Sequence, residues 1–101
     1  MIAYLSGPMT GLPGQNYAAF QAAAERLRSQ GVQVISPHEI TPPGAGPWLW
    51  AQHMRVDLAA LLTADVIVML PGWEGSRGAR LEKTVAEALG LLVDYSLTET
   101  S

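Results

Sequence analysis

Four short apolar runs alternate along the chain with segments in which apolar residues recur at helical spacing. The runs predict β-strands at residues 2–5, 32–35, 66–70 and 91–93. The third run is apolar throughout, which is typical of a parallel strand covered on both faces.

Three helices are predicted between these strands. The first begins after Asn16, which suits the N-cap position, and stops before Gly31 at the C′ position. The second covers about residues 48–63, and the third follows Gly78 and continues to about residue 89, where Gly90 ends it. The residues expected to face the sheet are Tyr17, Phe20, Ala24 and Leu27 in the first helix, Trp50, Met54, Leu58 and Leu61 in the second, and Leu81, Val85 and Leu89 in the third.

Strict alternation of strand and helix favours a parallel sheet with right-handed crossovers. We expect a single three-layer α/β domain over residues 1–94, with a short sheet of strand order 2-1-3-4 and a flavodoxin-like or Rossmann-like topology. Residues 41–47 are rich in proline and glycine, which predicts a loop within this domain. Residues 95–101 form a polar C-terminal tail.

Composition and net charge exclude several classes of function. A net charge of −3 gives no general attraction to nucleic acid, and the absence of cysteine removes disulfides and thiolate metal sites. Met1 leads directly into a short apolar run, and no run approaches membrane-spanning length, so we expect a soluble cytoplasmic protein that binds neither membranes nor nucleic acid. With 49% apolar and only 15% charged residues in 101, some apolar surface should remain uncovered, which predicts a homodimer or higher homo-oligomer.

Two loops are expected to form the working site. In an open parallel sheet, ligands bind beyond the carboxyl ends of the strands where the winding direction reverses, which here lies between strands 1 and 3. The loops after these strands, residues 6–11 and 71–78, are rich in glycine, and the second opens a helix whose free N–H groups favour an anion. Neither loop is a Walker A or GxGxxG sequence, so ATP hydrolysis and dinucleotide binding have no support.

Several polar residues are candidates for a functional site in this crevice. Glu82 lies one turn into the third helix, where its carboxylate either points back toward the crevice or merely suits the helix dipole. By position alone Asp57 is a surface residue of the second helix. Asp65, which precedes the third strand at the opposite end of the sheet, is interpreted as structural. Tyr4 is either a core residue or a residue that points its hydroxyl into the site.

Several other side chains lie near these loops in the sequence. Arg77 and Arg80 flank the start of the third helix, and each is either a phosphate clamp or a solvated side chain. Trp73 could stack on a base. His38 and His53 have no carboxylate or second histidine at ligand spacing, so no metal site is predicted.

The order and spacing of several short motifs resemble the nucleoside 2-deoxyribosyltransferase superfamily, which includes the deoxynucleoside 5′-monophosphate N-glycosidases. The motifs are residues 4–11 (YLSGPMTG), Asp57-Leu58, residues 64–68 (ADVIV) and residues 76–82 (SRGARLE). The likeness covers nearly the whole chain. It extends to short phage and bacterial members of unknown function, which are marked by residues 71–74 (PGWE) and 76–79 (SRGA).

The resemblance implies a retaining displacement at the sugar C1′. The superfamily's glutamate nucleophile falls on Glu82, its aspartate that protonates the leaving base on Asp57, and its tyrosine that steadies the nucleophile on Tyr4. Ser76 is similar to the serine of the monophosphate glycosidases, where the nucleoside transferases carry an aspartate. The implied substrate-binding residues are Ser6, Gly7, Pro8, Met9, Gly11, Gly72, Trp73, Ser76, Arg77 and Gly78.

We therefore expect hydrolysis or transfer of the N-glycosidic bond of a nucleoside 5′-monophosphate through a covalent glycosyl–glutamate intermediate, without a metal or cofactor. The chain is shorter than the characterised members, and Arg80 replaces a small residue common in the glycosidases. These departures motivate an alternative, a non-catalytic module that senses or sequesters a nucleotide or nucleotide-derived signal.

Overall fold

The four predicted strands form one sheet in the computed structural model, which describes residues 1–40 and 49–98. They are β1 (Ile2–Ser6), β2 (Gln33–Ile35), β3 (Val66–Met69) and β4 (Leu92–Asp94). All neighbouring pairs are parallel, and the order across the sheet is β2-β1-β3-β4. The expected strand order and the parallel α/β topology are therefore confirmed.

Helices connect the strands as predicted. They are α1 (Tyr17–Ser29), α2 (Pro37–Ile40), α3 (Trp50–Leu61) and α4 (Arg77–Ala88). Only α2 was not predicted, because a single helical turn is too short to show a periodic pattern. The predicted loop at residues 41–47 and Trp48, at the expected start of the second helix, lie outside the described residues.

The sheet has a separate core on each face, because successive side chains of β1 and β3 point to opposite sides. One core packs the strands against α1, and the other packs them against α3 and α4. Members of the first are Ala3, Leu5, Phe20, Ala23, Ala24, Val66, Val68 and Leu70. Members of the second are Tyr4, Leu61, Ala64, Ile67, Met69, Ala79 and Ala86. The predicted three layers follow from this arrangement.

The ends of α1 match the prediction only in part. Asn16 precedes the helix, but its φ of 64° is left-handed and its side chain makes no capping hydrogen bond. Asparagine tolerates this conformation better than most residues, which explains its presence there. Tyr17 was expected to face the core but is 51% exposed. Gly31 and Gly90 have φ values of 85° and 78°, as predicted for glycines that end helices.

The face that α4 turns to the sheet differs from the predicted one. Its buried residues are Ala79, Glu82 and Ala86, whereas Leu81 and Leu89 are 36% and 57% exposed. Small alanine side chains let the helix approach the strands closely, and this brings Glu82 into the buried face. The prediction that Leu81 and Leu89 are buried is therefore wrong.

The first and last segments that the structure describes both contact the rest of the domain. The Asp65 carboxylate accepts a hydrogen bond of 2.7 Å from the Ile2 backbone N–H at the amino ends of the strands, which agrees with a structural role. After β4, Ser96–Thr98 form a 3-10 turn, and Leu97 packs against the core on the α1 side. Within the described ranges, no helix has the length and apolar character needed to cross a membrane.

Candidate functional site

A cavity of about 620 Å³ opens beyond the carboxyl ends of β1 and β3, as the topology predicts. The loop after β1 lines it with residues 7–10, and the loop and first turn after β3 line it with residues 75–79. Helix α3 supplies Trp50, His53, Met54 and Asp57, and α4 supplies Glu82. The two loops predicted from the sequence thus face one cavity.

Glycine brings the two loops together. The Leu70 N–H donates a 2.8 Å hydrogen bond to the Ser6 carbonyl, so the backbone after β1 runs beside the end of β3. A Cβ atom on Gly7 would lie 2.7 Å from the Cβ of Leu70, closer than two such carbons can approach. Any larger residue at position 7 would therefore push the loops apart.

Glu82 is the buried acid at the wall of this cavity, with 4% of its surface exposed. Tyr4 and Ser6 lie two residues apart on β1, so their side chains point to the same face of the sheet, toward α4. The Tyr4 hydroxyl donates a hydrogen bond to Glu82 Oε2, and the Ser6 hydroxyl donates one of 2.7 Å to Oε1. Each carboxylate oxygen thus has its own hydroxyl donor.

Burial controls the protonation of this acid. Burial, with a smaller contribution from the negative charge of Asp57, raises the pKa of Glu82 to about 7, against the lowering effect of the hydrogen bonds from Tyr4 and Ser6. The pKa of the Tyr4 phenol is raised well above its usual value by burial and by the charges of Glu82 and Asp57. Tyr4 is therefore a hydrogen-bond donor at any physiological pH.

Asp57 is the second acid of the cavity. It lies on α3 with only 8% of its surface exposed, and burial raises its pKa to about 6. The sequence pattern alone suggested that Asp57 is a surface residue, whereas the resemblance implied that it belongs to the site. The structure places it on the cavity wall. A carboxyl group with this pKa can give and take a proton near neutral pH.

His53 also lines the cavity, and sequence reasoning gave it no place in the site. It lies four residues before Asp57 on α3, and residues at this spacing share one face of a helix. That spacing was the signal that could have identified it. The other lining residues that were not singled out are Thr10, Gln15, Phe20, Pro37, Trp50, Met54, Gly75 and Ala79.

The cation of the cavity is Arg77, the first residue of α4. The Arg77 guanidinium carbon lies 3.7 Å from the centroid of the Trp50 ring, a cation–π contact. Within the described residues, Arg77 makes no ion pair. Trp50 was interpreted as a packing residue, but it lines the cavity and supports this guanidinium. Arg80 is exposed and does not line the cavity.

Ser76 begins α4. Its hydroxyl oxygen accepts a hydrogen bond of 3.2 Å from the Ala79 N–H, which makes it the N-cap of the helix. The hydroxyl hydrogen is not used by this contact and is available to an acceptor in the cavity. Gly78 lines the cavity beside it, where a Cβ atom would lie 3.2 Å from the Met54 sulfur.

Not every predicted binding residue lines the cavity. Gly7, Pro8, Met9, Ser76, Arg77 and Gly78 do, whereas Ser6, Gly11, Gly72 and Trp73 do not. The Trp73 ring centroid lies 5.9 Å from that of Tyr95 and 5.5 Å from the Lys83 ammonium. Base stacking by Trp73 stays a prediction.

The polar side-chain groups of the site are hydroxyls, carboxyls, one carboxamide, one imidazole, one indole and one guanidinium. In the part of the chain that the structure describes, no three histidine, cysteine, aspartate or glutamate side chains are grouped so that they could hold a metal ion. The arrangement can hold an anion beside Arg77 and present a buried carboxylate to a neutral group in the middle of the cavity.

Comparison with known proteins identifies one family. The sequence model of a family described as a domain of unknown function (DUF4406) matches residues 1–95. No curated protein matches the chain.

Proposed function

The chain belongs to the DUF4406 family, and we propose that it cleaves the N-glycosidic bond of a nucleoside 5′-monophosphate through a covalent bond between the sugar C1′ and Glu82. One observation carries the proposal. A buried carboxylate, held at both oxygens by hydroxyls, lies at the wall of a cavity that contains a second acid of raised pKa. Two carboxyl groups in one cavity are the minimum set for retaining glycosidic chemistry.

The resemblance to the nucleoside 2-deoxyribosyltransferase superfamily supports the same assignment. The positions that match its nucleophile, its acid and its steadying tyrosine are Glu82, Asp57 and Tyr4. Tyr4 donates a hydrogen bond to Glu82, and Asp57 lies close enough to raise the pKa of Glu82. Residues from three different elements would not be expected to converge in this way if the motif match were accidental.

The first step is displacement at the sugar. A lone pair on a Glu82 oxygen forms a bond to C1′ while the C1′–N bond breaks and its electron pair goes to the base nitrogen. Asp57 in its acid form gives its proton to that nitrogen or to a conjugated atom of the base. The products are a free base, a glycosyl ester of Glu82 and an Asp57 carboxylate.

The second step releases the enzyme. Water, or a second base in a transferase, attacks C1′, the C1′–O bond breaks and Glu82 leaves as a carboxylate. The proton lost by the attacking group goes to Asp57, which regains its acid form. Because the pKa of Asp57 is about 6, this group can serve as acid and base in turn near neutral pH.

Phosphate recognition is assigned to the start of α4. Ser76 and Arg77 both line the cavity, and the serine hydroxyl and the guanidinium can each donate a hydrogen bond to a phosphate oxygen. An aspartate at position 76 would repel a phosphate, so the serine favours a nucleotide over a nucleoside.

A second candidate is a non-catalytic module that binds a nucleotide or nucleotide-derived signal. The observation that favours it is the pKa of about 7 for Glu82, which leaves about half of the molecules with a neutral, non-nucleophilic acid at pH 7. Such a module would use the same cavity without forming a bond to the sugar.

We also propose that two copies associate in solution and that the protein acts in the cytoplasm. Leu81 and Leu89 lie on the outer side of α4, and with half-buried Val85 they form a row at i, i+4 and i+8. Burial of such a row against a second copy would remove apolar surface from water.

Release of free base from a panel of ribonucleoside and deoxynucleoside 5′-monophosphates, followed by chromatography, tests the proposed activity. We expect release from at least one nucleotide and slower release from the corresponding nucleoside at equal concentration. Glu82→Gln should abolish release, whereas Glu87→Gln, at an exposed glutamate of the same helix, should not.

Calorimetric titration of the same nucleotides distinguishes the two candidates. Tight binding of an intact nucleotide with no base release, unchanged by Glu82→Gln, would support the binding module and contradict the glycosidase. Release that disappears in Glu82→Gln while binding persists supports the glycosidase.

A further inference from the structure

We propose that Ser6 is a positioning residue for Glu82, and that its hydroxyl fixes one carboxylate oxygen while the Tyr4 hydroxyl fixes the other. The inference deepens the proposed function and rests on it for the chemical role of Glu82. It replaces contact with substrate, the role that the resemblance implies for Ser6, by contact with the acid itself.

The geometry of β1 places Ser6 against Glu82. Ser6 is the last residue of the strand, only 1% of its surface is exposed, and it does not line the cavity. Its hydroxyl donates a 2.7 Å hydrogen bond to Glu82 Oε1. A serine hydroxyl has a single hydrogen, so Ser6 cannot donate to a substrate while this bond is present.

Two hydrogen-bond donors fix the orientation of the Glu82 carboxylate, which one donor could not do. A hydroxyl on Oε2 alone would leave the carboxylate free to rotate about its Cγ–Cδ bond. The second hydroxyl, on Oε1, fixes the plane of the group. Each oxygen keeps a further lone pair, so the two hydrogen bonds leave the carboxylate able to attack C1′ from one defined direction.

The same two hydroxyls are the groups that stabilise the negative charge of Glu82. No arginine or lysine among the described residues forms an ion pair with it. From β1 it faces Tyr4 and Ser6, and from α3 it faces the acidic Asp57, with His53 on the same cavity wall. Burial and Asp57 both favour the protonated acid, and only the hydrogen bonds from Tyr4 and Ser6 oppose them.

Removal of the Ser6 hydroxyl should therefore raise the pKa of Glu82. A hydrogen bond to a charged acceptor corresponds to a shift of about one pH unit or more. A rise from about 7 to about 8 would lower the ionised fraction of Glu82 at pH 7 from about half to about a tenth. In the pH profile of kcat, the acid limb should shift to higher pH by the same amount. KM should change little, because Ser6 does not contact the substrate.

Carbon-13 NMR of the protein labelled at its glutamate carboxyl groups measures this pKa without substrate. The Glu82 signal is assigned by its loss in Glu82→Gln and is then titrated in the native protein and three variants. Ser6→Ala removes the hydroxyl. Ser6→Cys keeps a side chain of similar shape with a weak donor, and is also measured because the alanine could disturb packing. Ser36→Ala is the matched control, since Ser36 is a second buried serine, 3% exposed, just after β2.

We expect the Glu82 pKa to rise by about one unit in Ser6→Ala, by nearly as much in Ser6→Cys, and by no more than a few tenths in Ser36→Ala. An unchanged pKa in Ser6→Ala or Ser6→Cys, or an equal rise in Ser36→Ala, would overturn the assignment of Ser6. This outcome is independent of turnover. Absence of base release from every nucleotide with a shifted pKa would instead count against the glycosidase and leave the role of Ser6 intact.

Discussion

At the scale of single residues, the site depends on how closely backbone and side chains approach each other at the ends of β1 and β3. Gly7 illustrates this dependence, because a Cβ atom there would lie 2.7 Å from the Cβ of Leu70. Gly75, in the other loop, has no heavy atom within 4 Å of the corresponding position. The two glycines therefore differ in what they contribute, although both lie in the predicted site loops.

Gly7→Ala is expected to lower the free energy of unfolding by about 1–3 kcal/mol, the usual cost of overpacking. Gly75→Ala should change it by less than about 0.5 kcal/mol, as for a surface substitution. Urea unfolding of both variants and the native protein measures the difference. Equal effects of the two substitutions would show that the approach of the loops does not limit position 7.

At the scale of elements, the sequence pattern predicted where each helix lies better than which face it buries. A helix was predicted from after Gly78 to about residue 89, close to the observed Arg77–Ala88, but leucine and valine were taken as its buried stripe. The buried residues are two alanines and Glu82, which a hydrophobicity pattern scores as weak or polar. Close packing on the strands, a tertiary effect, selects this face, and no local pattern contains that information.

The candidate site could be predicted in the same uneven way. Sheet topology located the cavity, and the resemblance pointed to Glu82, Asp57 and Tyr4. Asp57 and His53 were missed by the pattern because a polar residue on a helix is usually solvated. Their four-residue spacing gains meaning only once α3 is known to border the cavity.

The first turn of α4 carries two arginines with different surroundings. Both are exposed, but Arg77 lines the cavity and stacks on Trp50, whereas Arg80 does not line it. Arg77→Ala is expected to raise the KM for the nucleoside monophosphate about tenfold or more, since a charge-assisted hydrogen bond is lost. Arg80→Ala should change KM less than twofold.

Steady-state kinetics of the two arginine variants, each with a nucleotide and the matching nucleoside, measure this contrast. The effect of Arg77→Ala should be absent with the nucleoside, which has no phosphate. A loss of similar size in both variants, or with both substrates, would exclude a specific phosphate contact by Arg77.

At the scale of the whole molecule, two buried acids make stability depend on pH. The pKa of Glu82 is about 7 and that of Asp57 about 6 in the folded state, against ordinary values of 4.5 and 3.8. The folded protein thus binds more protons than the unfolded chain between these values, so stability falls as pH rises through this window. The free energy of unfolding should decrease by on the order of 3 kcal/mol between pH 5 and pH 7.5.

Urea unfolding at a series of pH values checks this trend in the native protein and in Glu82→Gln, which has no acid at position 82. The decrease should be less than half as large in the variant. Stability that increases from pH 5 to pH 7.5, or an unchanged slope in Glu82→Gln, would mean that Glu82 is not the group that titrates.

Self-association concerns the outer surface of α4. Leu81→Glu is expected to weaken a dimer at least tenfold, because burial of a leucine side chain contributes about 1.5–3 kcal/mol. Leu12→Glu is a matched control, since Leu12 is 40% exposed in the loop after β1. Light scattering during size-exclusion chromatography gives the mass of each form. A monomeric native protein at high concentration would contradict the proposed association.

The most direct measurement on the site is the mass of the protein quenched during turnover with a deoxynucleoside 5′-monophosphate. We predict a fraction whose mass is increased by one sugar phosphate, with the addition on the peptide that contains Glu82 and absent from Glu82→Gln. Base release without any such adduct at the earliest quench times, or an adduct that persists in Glu82→Gln, would contradict a glycosyl–Glu82 intermediate.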